Sequence, residues 1–443
     1  MFSPMPPART GVAHYTSMLL PALRGRIDVD IVADPHAARR SPLAIYQLGN
    51  NPHHAWIYEE AMRTPGVVVL HDVVLHHLIV EMTLAKGDVE GYVDALRANH
   101  GEAGAAWARG RAAGLHSEMG NFLMPASVEV ANRSRAVIVH NRWAADRLRS
   151  LGVTTPIHVV PHPYEPQPDT RARRDEIRAR HGIAPDKRVV GFIGFLTSAK
   201  RADVVLAAAE KARVELLIVG EPAPNIDLPS TGYVDDADFP AYFAAVDRVV
   251  NLRYPSAGET SGTLIRAFEA GKPVAVSDYA QFAEYPDDCV VKIPFGDREV
   301  ELLADFFMRD LPDPGEAQRK WLEENANIEK TVEGYLEALD ARRTQHAGHS
   351  TASIPLFPSL EATLRNGRII LKNAGELTLR TRTYGQPAYR IIVNGKWCEL
   401  PCDLAPGEET DIPAPRDKRI RLVHALQSIP VVDERPFAVL EQP

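Results

Sequence analysis

The stretch at residues 254–278, YPSAGETSGTLIRAFEAGKPVAVSD, decides the fold because a loop, a helix and a buried strand follow one another in it. Pro, Ser, Ala and Gly open it as a loop, and Leu264 and Phe268 then recur at helical spacing. Gly271 ends that helix, and residues 274–276 predict a buried strand. A loop that leads into a helix N-terminus presents unpaired N–H groups, which suit a phosphate group.

Four residues stand at the junction of this loop and helix, namely Glu259, Thr260, Ser261 and Gly262. The backbone N–H groups of residues 260–262 are placed to bind a phosphate, and the helix dipole adds positive charge there. The Glu259 carboxylate precedes them. It is therefore a candidate to hold the hydroxyl groups of whatever the phosphate carries.

Length and composition bound the possible functions. The 443 residues are too many for one ordinary core and predict two or three domains. Hydrophobic residues make up 45% and charged residues 24%, as in soluble globular proteins. The net charge of −8 argues against sequence-independent nucleic-acid binding, which needs a basic face.

The cysteines and the apolar runs bear on the cellular compartment. Three cysteines are too few for a disulfide framework and lack the partners of a zinc site. No apolar run approaches the ~18 residues of a membrane helix, and the N-terminus lacks a signal-peptide pattern. The sequence therefore predicts a cytoplasmic protein, with peripheral contact at the inner face of the membrane left open.

The first half alternates helices with short apolar runs. A helix is predicted over residues 12–23, and strands over 29–32, 44–48, 66–70 and 136–140. Only Met1 and Phe2 precede Ser3-Pro4, so the first strand is very short or the chain begins inside it. His71 and Asp72 follow the strand 66–70 directly. Ligands bind beyond the carboxyl ends of parallel strands, so His71 is a candidate, although a structural role is equally compatible.

The second half repeats the alternation, with strands predicted at 189–194, 216–220, 231–234 and 248–252. Lys200 and Arg201 follow the turn at Gly194 and can supply charge to a diphosphate, while solvated surface residues are the competing interpretation. The domain boundary lies near residues 165–175. We predict one α/β domain over residues 1–168 and a second over 169–343, both with parallel sheets.

The last part of the chain differs in character. Residues 344–353, TQHAGHSTAS, are typical of a flexible linker. Beyond them, short alternating runs such as 368–371 and 377–381 are separated by turns at Asn394-Gly395 and Pro406-Gly407. This spacing predicts an all-β, immunoglobulin-like sandwich over residues 354–443.

Taken together, the motifs of residues 1–340 resemble those of the family 4 glycosyltransferases, which are retaining enzymes of the GT-B fold. The matching segments are PPARTGVAHYT, YQLGNNPHHAWIYEE, VVVLHD, VIVHNRWAADRL, GFLTSAKR, TGYV, NLRYP and GETSG…AFEAGKPV. The resemblance implies two Rossmann-like domains facing across a cleft. The N-terminal domain would bind the acceptor and the C-terminal domain a nucleotide-sugar.

The resemblance also implies roles for the residues that would bind the diphosphate. Gly11 matches the glycine whose backbone approaches it, and Lys200 matches the lysine of an arginine–lysine pair that neutralises it. Arg201 is a candidate to assist Lys200. Thr260, Ser261 and Gly262 would supply the backbone donors.

For the rest of the donor, His71 matches a histidine placed near the donor sugar and the reaction centre. Glu259 matches the first glutamate of a paired-glutamate motif that holds sugar hydroxyls. Tyr233 and Val234 lie where the nucleotide base commonly contacts the chain.

The sequence departs from this pattern at two places. Phe195 replaces the arginine of the pair, so Lys200 must carry the charge. Arg266 aligns with the second glutamate, which usually binds ribose. Glu269 lies two residues too far along for that role, about 200° of helical rotation, and would face away.

The expected activity is transfer of a sugar from a nucleoside-diphosphate donor, UDP- or GDP-linked, to a hydroxyl of a glycan, lipid-linked or small-molecule acceptor. We expect retention by front-side attack without a metal or other cofactor. The alternative is a catalytically silent GT-B scaffold, motivated by the missing arginine and glutamate. An epimerase or phosphorylase fits less well, because no lysine is placed for pyridoxal phosphate. For the predicted sandwich, the sequence leaves three roles open, namely contact with an acceptor glycan, oligomerisation and stabilisation.

Overall fold

The computed structural model describes most of residues 1–340 and separate parts of the rest. Within 1–340 the description omits 9, 38–42, 116, 165, 167–168, 223–227 and 236. Beyond residue 340 it comprises 360–365, 368–373, 382–383, 386–387, 389–393, 396–405, 407–413, 419–424, 429–430, 435–436 and 438–439. The chain divides into two compact units. The first is Met1–Ile293 with Glu299–Thr351, and the second is Pro294–Arg298 with Ala352–Pro443.

The first half of the larger unit alternates helices and strands. In chain order they are α1 (Gly11–Arg24), β1 (Ile45–Leu48), α2 (Ala55–Arg63), β2 (Val67–Leu70), α3 (His76–Met82), α4 (Val89–Ala112), α5 (Glu118–Leu123), α6 (Val128–Arg133), β3 (Ala136–Val139), α7 (Arg142–Ser150) and β4 (Ile157–Val159).

These strands form a four-stranded parallel sheet in the order β1-β2-β3-β4. Every residue of β1, β2 and β3 is buried, which explains the continuous apolar runs of β2 and β3 in the sequence. The missing first strand is represented by Phe2 alone. Phe2 forms parallel bridges to Tyr46 on one side and to Val32 on the other, so the strand predicted at 29–32 also shrinks to one bridge.

The second half of the larger unit has the same design. Its elements are α8 (Arg174–Arg180), β5 (Val189–Ile193), α9 (Ala202–Ala212), β6 (Glu215–Val219), α10 (Phe239–Ala245), β7 (Arg248–Asn251), α11 (Gly262–Glu269), β8 (Val274–Ser277), β9 (Val291–Ile293), α12 (Glu299–Met308), α13 (Gly315–Asn325) and α14 (Ile328–Asp340).

The second sheet is parallel and five-stranded, in the order β6-β5-β7-β8-β9. Two buried apolar clusters cover its faces, one around Phe243 and Phe268 and the other around Phe192 and Phe306. The strand order reverses between β5 and β7, and open α/β sheets bind ligands beyond the strand ends at such a point. The α/β class with parallel sheets is thus confirmed. The strand predicted at 231–234 is wrong, because only Gly232 pairs, through one bridge to Gly220.

Helix α14 follows the second half in sequence but packs into the core of the first. Val332 and Tyr335 are buried in the cluster that contains Met1, Leu19 and Ile138. The Tyr335 hydroxyl lies 2.9 Å from that of Tyr15 and 3.0 Å from Gln47 Nε2. The end of the larger unit therefore stabilises its beginning.

The smaller unit is built of β-strands in its described residues. They are β10 (Leu360–Arg365), β11 (Arg368–Asn373), β12 (Arg382–Thr383), β13 (Gln386–Pro387), β14 (Tyr389–Val393), β15 (Lys396–Glu399), β16 (Glu409–Pro413), β17 (Arg419–His424), β18 (Ile429–Pro430), β19 (Arg435–Pro436) and β20 (Ala438–Val439). Antiparallel pairing joins β10, β11 and β16, and separately β14, β15 and β17. The predicted run 377–381 and linker 344–353 lie outside the described residues. The sandwich packing and its immunoglobulin-like form stay predictions.

Candidate functional site

A cavity of about 1110 Å³ lies at the carboxyl ends of both parallel sheets of the larger unit. The first half contributes loops that follow Phe2, β1 and β2, and the second half contributes loops that follow β5 and β7. The residues that line it include Gly11, His14, Asn50, Asp72, Lys200, Arg253, Glu259, Gly262 and Arg266. Loops from both sheets thus open into one space.

The N-terminus of α11 forms one wall of this cavity. Ser261 caps the helix, since its hydroxyl accepts a hydrogen bond from Leu264 N at 3.3 Å and donates to Asn251 Oδ1 at 3.0 Å. The helix therefore begins at Gly262, and the N–H groups of Gly262 and Thr263 precede its first intrahelical bonds. This wall combines backbone donors with the positive end of a helix dipole.

In the loop before α11, the Glu259 carboxylate turns back to contact residues of the same loop. Glu259 Oε2 accepts a hydrogen bond from Ala257 N at 3.0 Å and lies 3.3 Å from Ser256 Oγ. Gln281 Nε2 donates to the Glu259 carbonyl at 2.8 Å. The carboxylate is therefore held at the cavity surface, with Oε1 close to Arg253.

The same loop touches the first half of the unit. Val73 N donates to Ala257 O at 2.7 Å, and Asn141 Nδ2 donates to Gly258 O at 2.8 Å. Gly258 has φ +84°, and a Cβ there would lie 3.0 Å from Trp143 and from Val73. A glycine is needed because the backbone approaches its neighbour closely in a left-handed conformation.

Lys200 and Arg201 are adjacent in sequence but separate in space. Lys200 is buried and lines the cavity, and its Nζ donates to Ile193 O at 2.9 Å. Burial holds the pKa of Lys200 well below its usual range, and the nearby Arg253 lowers it further. Arg201 instead points to Glu299, with 2.7 Å between its guanidinium and Oε2. Of these two neighbours, Lys200 lines the cavity and Arg201 does not.

His71 and Asp72 likewise diverge. Asp72 lines the cavity, and its Oδ2 accepts a hydrogen bond from Asn50 N at 2.8 Å. Burial, and then the nearby Glu259, raise the pKa of the Asp72 carboxyl to about 7. His71 lies behind it, with Nε2 2.7 Å from Gln47 Oε1. Consecutive residues leaving a strand diverge in this way because side chains alternate between its faces.

Behind the cavity, three histidine rings surround one tyrosine. The ring of Tyr15 lies 4.6 Å from that of His71, 5.1 Å from His140 and 5.0 Å from His162. Burial lowers the pKa of His140 to about 4 and of His162 to about 3, and it holds that of His71 well below 6.5. These imidazoles are therefore neutral at physiological pH and act as a polar support.

The remaining end of the cavity carries Arg266, where the resemblance expects a carboxylate. Its guanidinium lies 3.3 Å from Glu269 Oε2 and 3.3 Å from His14 Nε2, which belongs to α1. Glu269 Oε1 is 3.3 Å from the Tyr164 hydroxyl. The carboxylate of Glu269 thus faces an arginine and a tyrosine, and it is absent from the cavity lining.

Most of the predicted site residues come together in this one cavity. Those that line it are Gly11, Lys200, Tyr233, Val234, Glu259, Thr260, Ser261 and Gly262. His71 and Arg201 do not. Asp72, a polar residue that follows the predicted strand 66–70 together with His71, does line it, and so does Arg253, which sequence reasoning missed. Arg253 stands directly beyond the predicted strand 248–252, which was the signal available for it.

Two features are absent from the described part of the chain, namely a cluster of metal-binding side chains and an apolar helix of membrane length. No group of three or more His, Cys, Asp or Glu side chains could hold a metal ion among these residues. No described helix has the length and apolarity to span a membrane.

No protein-family model matches the sequence. The chain is 28% identical over 157 residues to the D-inositol 3-phosphate glycosyltransferase of Mycobacteroides abscessus, a match that covers 34% of this chain and 34% of that protein. The match therefore spans about a third of the length of that relative.

Solved structures also show similarity at low sequence identity. WaaG, a glycosyltransferase involved in lipopolysaccharide biosynthesis, is 14% identical with a TM-score of 0.47, covering 77% of this chain and 98% of WaaG. Sucrose-phosphate synthase from Thermosynechococcus elongatus is 16% identical with a TM-score of 0.46, covering 67% of this chain and 72% of the synthase. The assignment of the α/β fold rests on the two parallel sheets of this chain and not on these solved structures.

Proposed function

We propose that this protein is a retaining glycosyltransferase of the GT-B type, which moves a sugar from a nucleoside-diphosphate donor to a hydroxyl acceptor. One observation carries the proposal. A single large cavity at the carboxyl ends of two parallel sheets is lined by a helix N-terminus, a buried lysine and a carboxylate. These are the groups that a diphosphate and a sugar need. The partial match to an inositol phosphate glycosyltransferase points to the same activity.

The donor's diphosphate would lie against the N-terminus of α11 and beside Gly11, which begins α1. Backbone N–H groups that are fixed before the reaction stabilise charge on the leaving group without reorganisation. The arriving anion would favour the charged form of Lys200, since an adjacent negative charge raises a lysine pKa. Tyr233 and Val234 line the part of the cavity where we place the base.

The acceptor hydroxyl would approach from the first half, where Asn50 and Asp72 line the cavity. We propose front-side attack, in which a leaving phosphate oxygen takes the acceptor proton. Asp72 accepts or donates a hydrogen bond to the acceptor hydroxyl, and its raised pKa allows both near neutral pH. His71 supports the site from behind. In the family that the sequence resembles, a metal is not usually needed, so we expect transfer to survive EDTA.

A catalytically silent scaffold is the second candidate, and Arg266 is the observation that favours it. At the nucleoside end the guanidinium contacts Glu269 and His14, in place of the carboxylate that would hold a ribose. In that case the cavity would bind no nucleotide. Oligomerisation through residues 354–443, a cytoplasmic location and peripheral membrane contact remain further proposals.

Thermal unfolding with UDP-, GDP- and ADP-sugars at millimolar concentration tests the proposal, because a ligand that binds the folded state raises its melting temperature. Lys200→Ala should abolish the shift, and Lys187→Ala, an exposed lysine of the same half, should keep it. The anomeric configuration of the product, measured by NMR, tests retention. No shift with any of the donors would favour the scaffold.

A further inference from the structure

Arg253 is a buried cation whose Nε has no hydrogen-bond partner in the described part of the chain. It follows β7, its side chain is 9% exposed, and it lines the cavity. Its backbone N–H donates to Ser277 Oγ at 2.8 Å, which fixes the start of the loop. Nε lies 2.5 Å from Glu259 Oε1, yet this atom has no aligned hydrogen-bond partner. The contact is an ion pair with poor directionality.

Another buried arginine of the same half shows how the hydrogen-bond donors of a structural guanidinium are satisfied. Arg178 is 1% exposed, and its nitrogens donate to the carbonyls of Ala245, Pro185 and Lys187 at 2.8–3.0 Å. Two further bonds of 2.9 Å reach the carboxylate of Asp247. A buried guanidinium whose donors stay unused is costly. The environment of Arg253 therefore suits an anion with several acceptor oxygens.

Burial disfavours the charged form of Lys200, the neighbouring cation of this wall. Lys200 is buried, donates to a backbone carbonyl, and has a pKa well below its usual range. A guanidinium keeps its charge under the same conditions. Phe195, which also lines the cavity, offers an aromatic ring that is 49% exposed and carries no charge.

We propose that Arg253 binds the donor's diphosphate and that Glu259 is its counter-ion only while the cavity is empty. The arriving diphosphate replaces Glu259 beside the guanidinium, because two phosphate oxygens can accept a bidentate pair of hydrogen bonds. Glu259 is then free to accept hydrogen bonds from sugar hydroxyls. Recognition of the two ends of the donor is thereby coupled. This inference rests on the proposed function.

Because the diphosphate replaces Glu259 beside Arg253, Glu259→Gln should change the affinity for a nucleoside diphosphate differently from the affinity for its sugar conjugate. Glu259→Gln removes the carboxylate that competes for Arg253, so UDP, GDP or ADP should bind about 3- to 10-fold tighter. The matching glucose conjugate should gain nothing or bind more weakly, because an acceptor of sugar hydroxyls is lost. Arg253→Ala should weaken both ligand types about 10- to 100-fold. Arg149→Ala, an exposed arginine paired with Asp146, is the control and should change neither.

Isothermal titration calorimetry with the full chain measures these affinities, and a rescue variant separates a ligand contact from a structural role. Phe195→Arg places a guanidinium on the same cavity, so the double variant with Arg253→Ala should recover at least about tenfold in affinity. If Arg253→Ala does not fold, Glu259→Gln decides alone.

The outcomes distinguish the inference from the function on which it rests. If Arg253→Ala binds these ligands as tightly as the wild-type chain does, the inference is overturned and the proposed function stands. Weaker or equal binding of the nucleoside diphosphate by Glu259→Gln does the same, and so does failure of the rescue. If the wild-type chain binds none of the three nucleotides or their conjugates, both are overturned.

Discussion

Replacing Asp72 by asparagine should stabilise the fold at neutral pH while it slows sugar transfer. The Asp72 carboxyl lies in the cavity wall, and its pKa is raised from 3.8 to about 7 by burial and by Glu259. The folded chain thus prefers the protonated form. Asparagine has the same shape and no charge, and it can still accept the hydrogen bond from Asn50 N.

The size of the effect follows from the shift in pKa. A raised pKa means that the contribution of Asp72 to stability is fully present below pH 3.8 and is lost as pH rises through about 7. A shift of about three pKa units corresponds to about 4 kcal/mol at pH 8. Water in the open cavity screens the charge, so we expect Asp72→Asn to raise the free energy of unfolding by about 2–4 kcal/mol there. At pH 4.5 the gain should shrink to about 1 kcal/mol or less.

Urea denaturation of both proteins at pH 4.5 and pH 8, followed by circular dichroism, measures the difference. Subtracting the two proteins at each pH cancels every other titrating group. Transfer should fall, because the asparagine amide cannot exchange between accepting and donating as the carboxyl does. A gain of equal size at both pH values, or destabilisation at pH 8, would refute the argument that burial of the Asp72 charge opposes folding.

Three further predictions concern the support of the site. Gly258→Ala should destabilise by about 1–3 kcal/mol, since φ is +84° and a Cβ would meet an aromatic ring at 3.0 Å, whereas Gly110→Ala, with open space, should be neutral or stabilising in the same urea titration. Tyr335→Phe should lower the urea midpoint by the equivalent of about 1–3 kcal/mol, because Gln47 Nε2 loses a buried hydrogen-bond partner. His140 is neutral in the fold with a pKa of about 4, so stability should fall as pH drops from 6.5 to 4, and His140→Asn should flatten that slope; an unchanged slope would show that His140 charges freely.

Much of the fold could be predicted from local sequence signals. Continuous apolar runs such as Val67–Leu70 predict buried parallel strands because both faces of such a strand are covered by helices. The start of α11 was equally readable, since Ser261 before an apolar-periodic helix is an N-cap. The strand predicted at 231–234 failed because a short apolar run cannot tell a strand from an extended loop.

The side chains of the site were harder to place. Neighbours in sequence, His71 with Asp72 and Lys200 with Arg201, point in different directions, and only one of each pair lines the cavity. Arg253 was passed over because a single arginine after a strand resembles any surface residue. Its burial depends on loops that follow other strands, and no local pattern records that.

The sequence by itself determined two parallel α/β sheets and the helix N-terminus after residues 254–261, because hydrophobic periodicity and capping act over a few residues. Only the tertiary structure decided that Asp72 and Arg253 join Glu259 in one cavity, and that α14 returns to the first core. Such contacts join residues far apart in the chain. Their energies depend on burial and on the distances between charges, which exist only once the two sheets have been packed together.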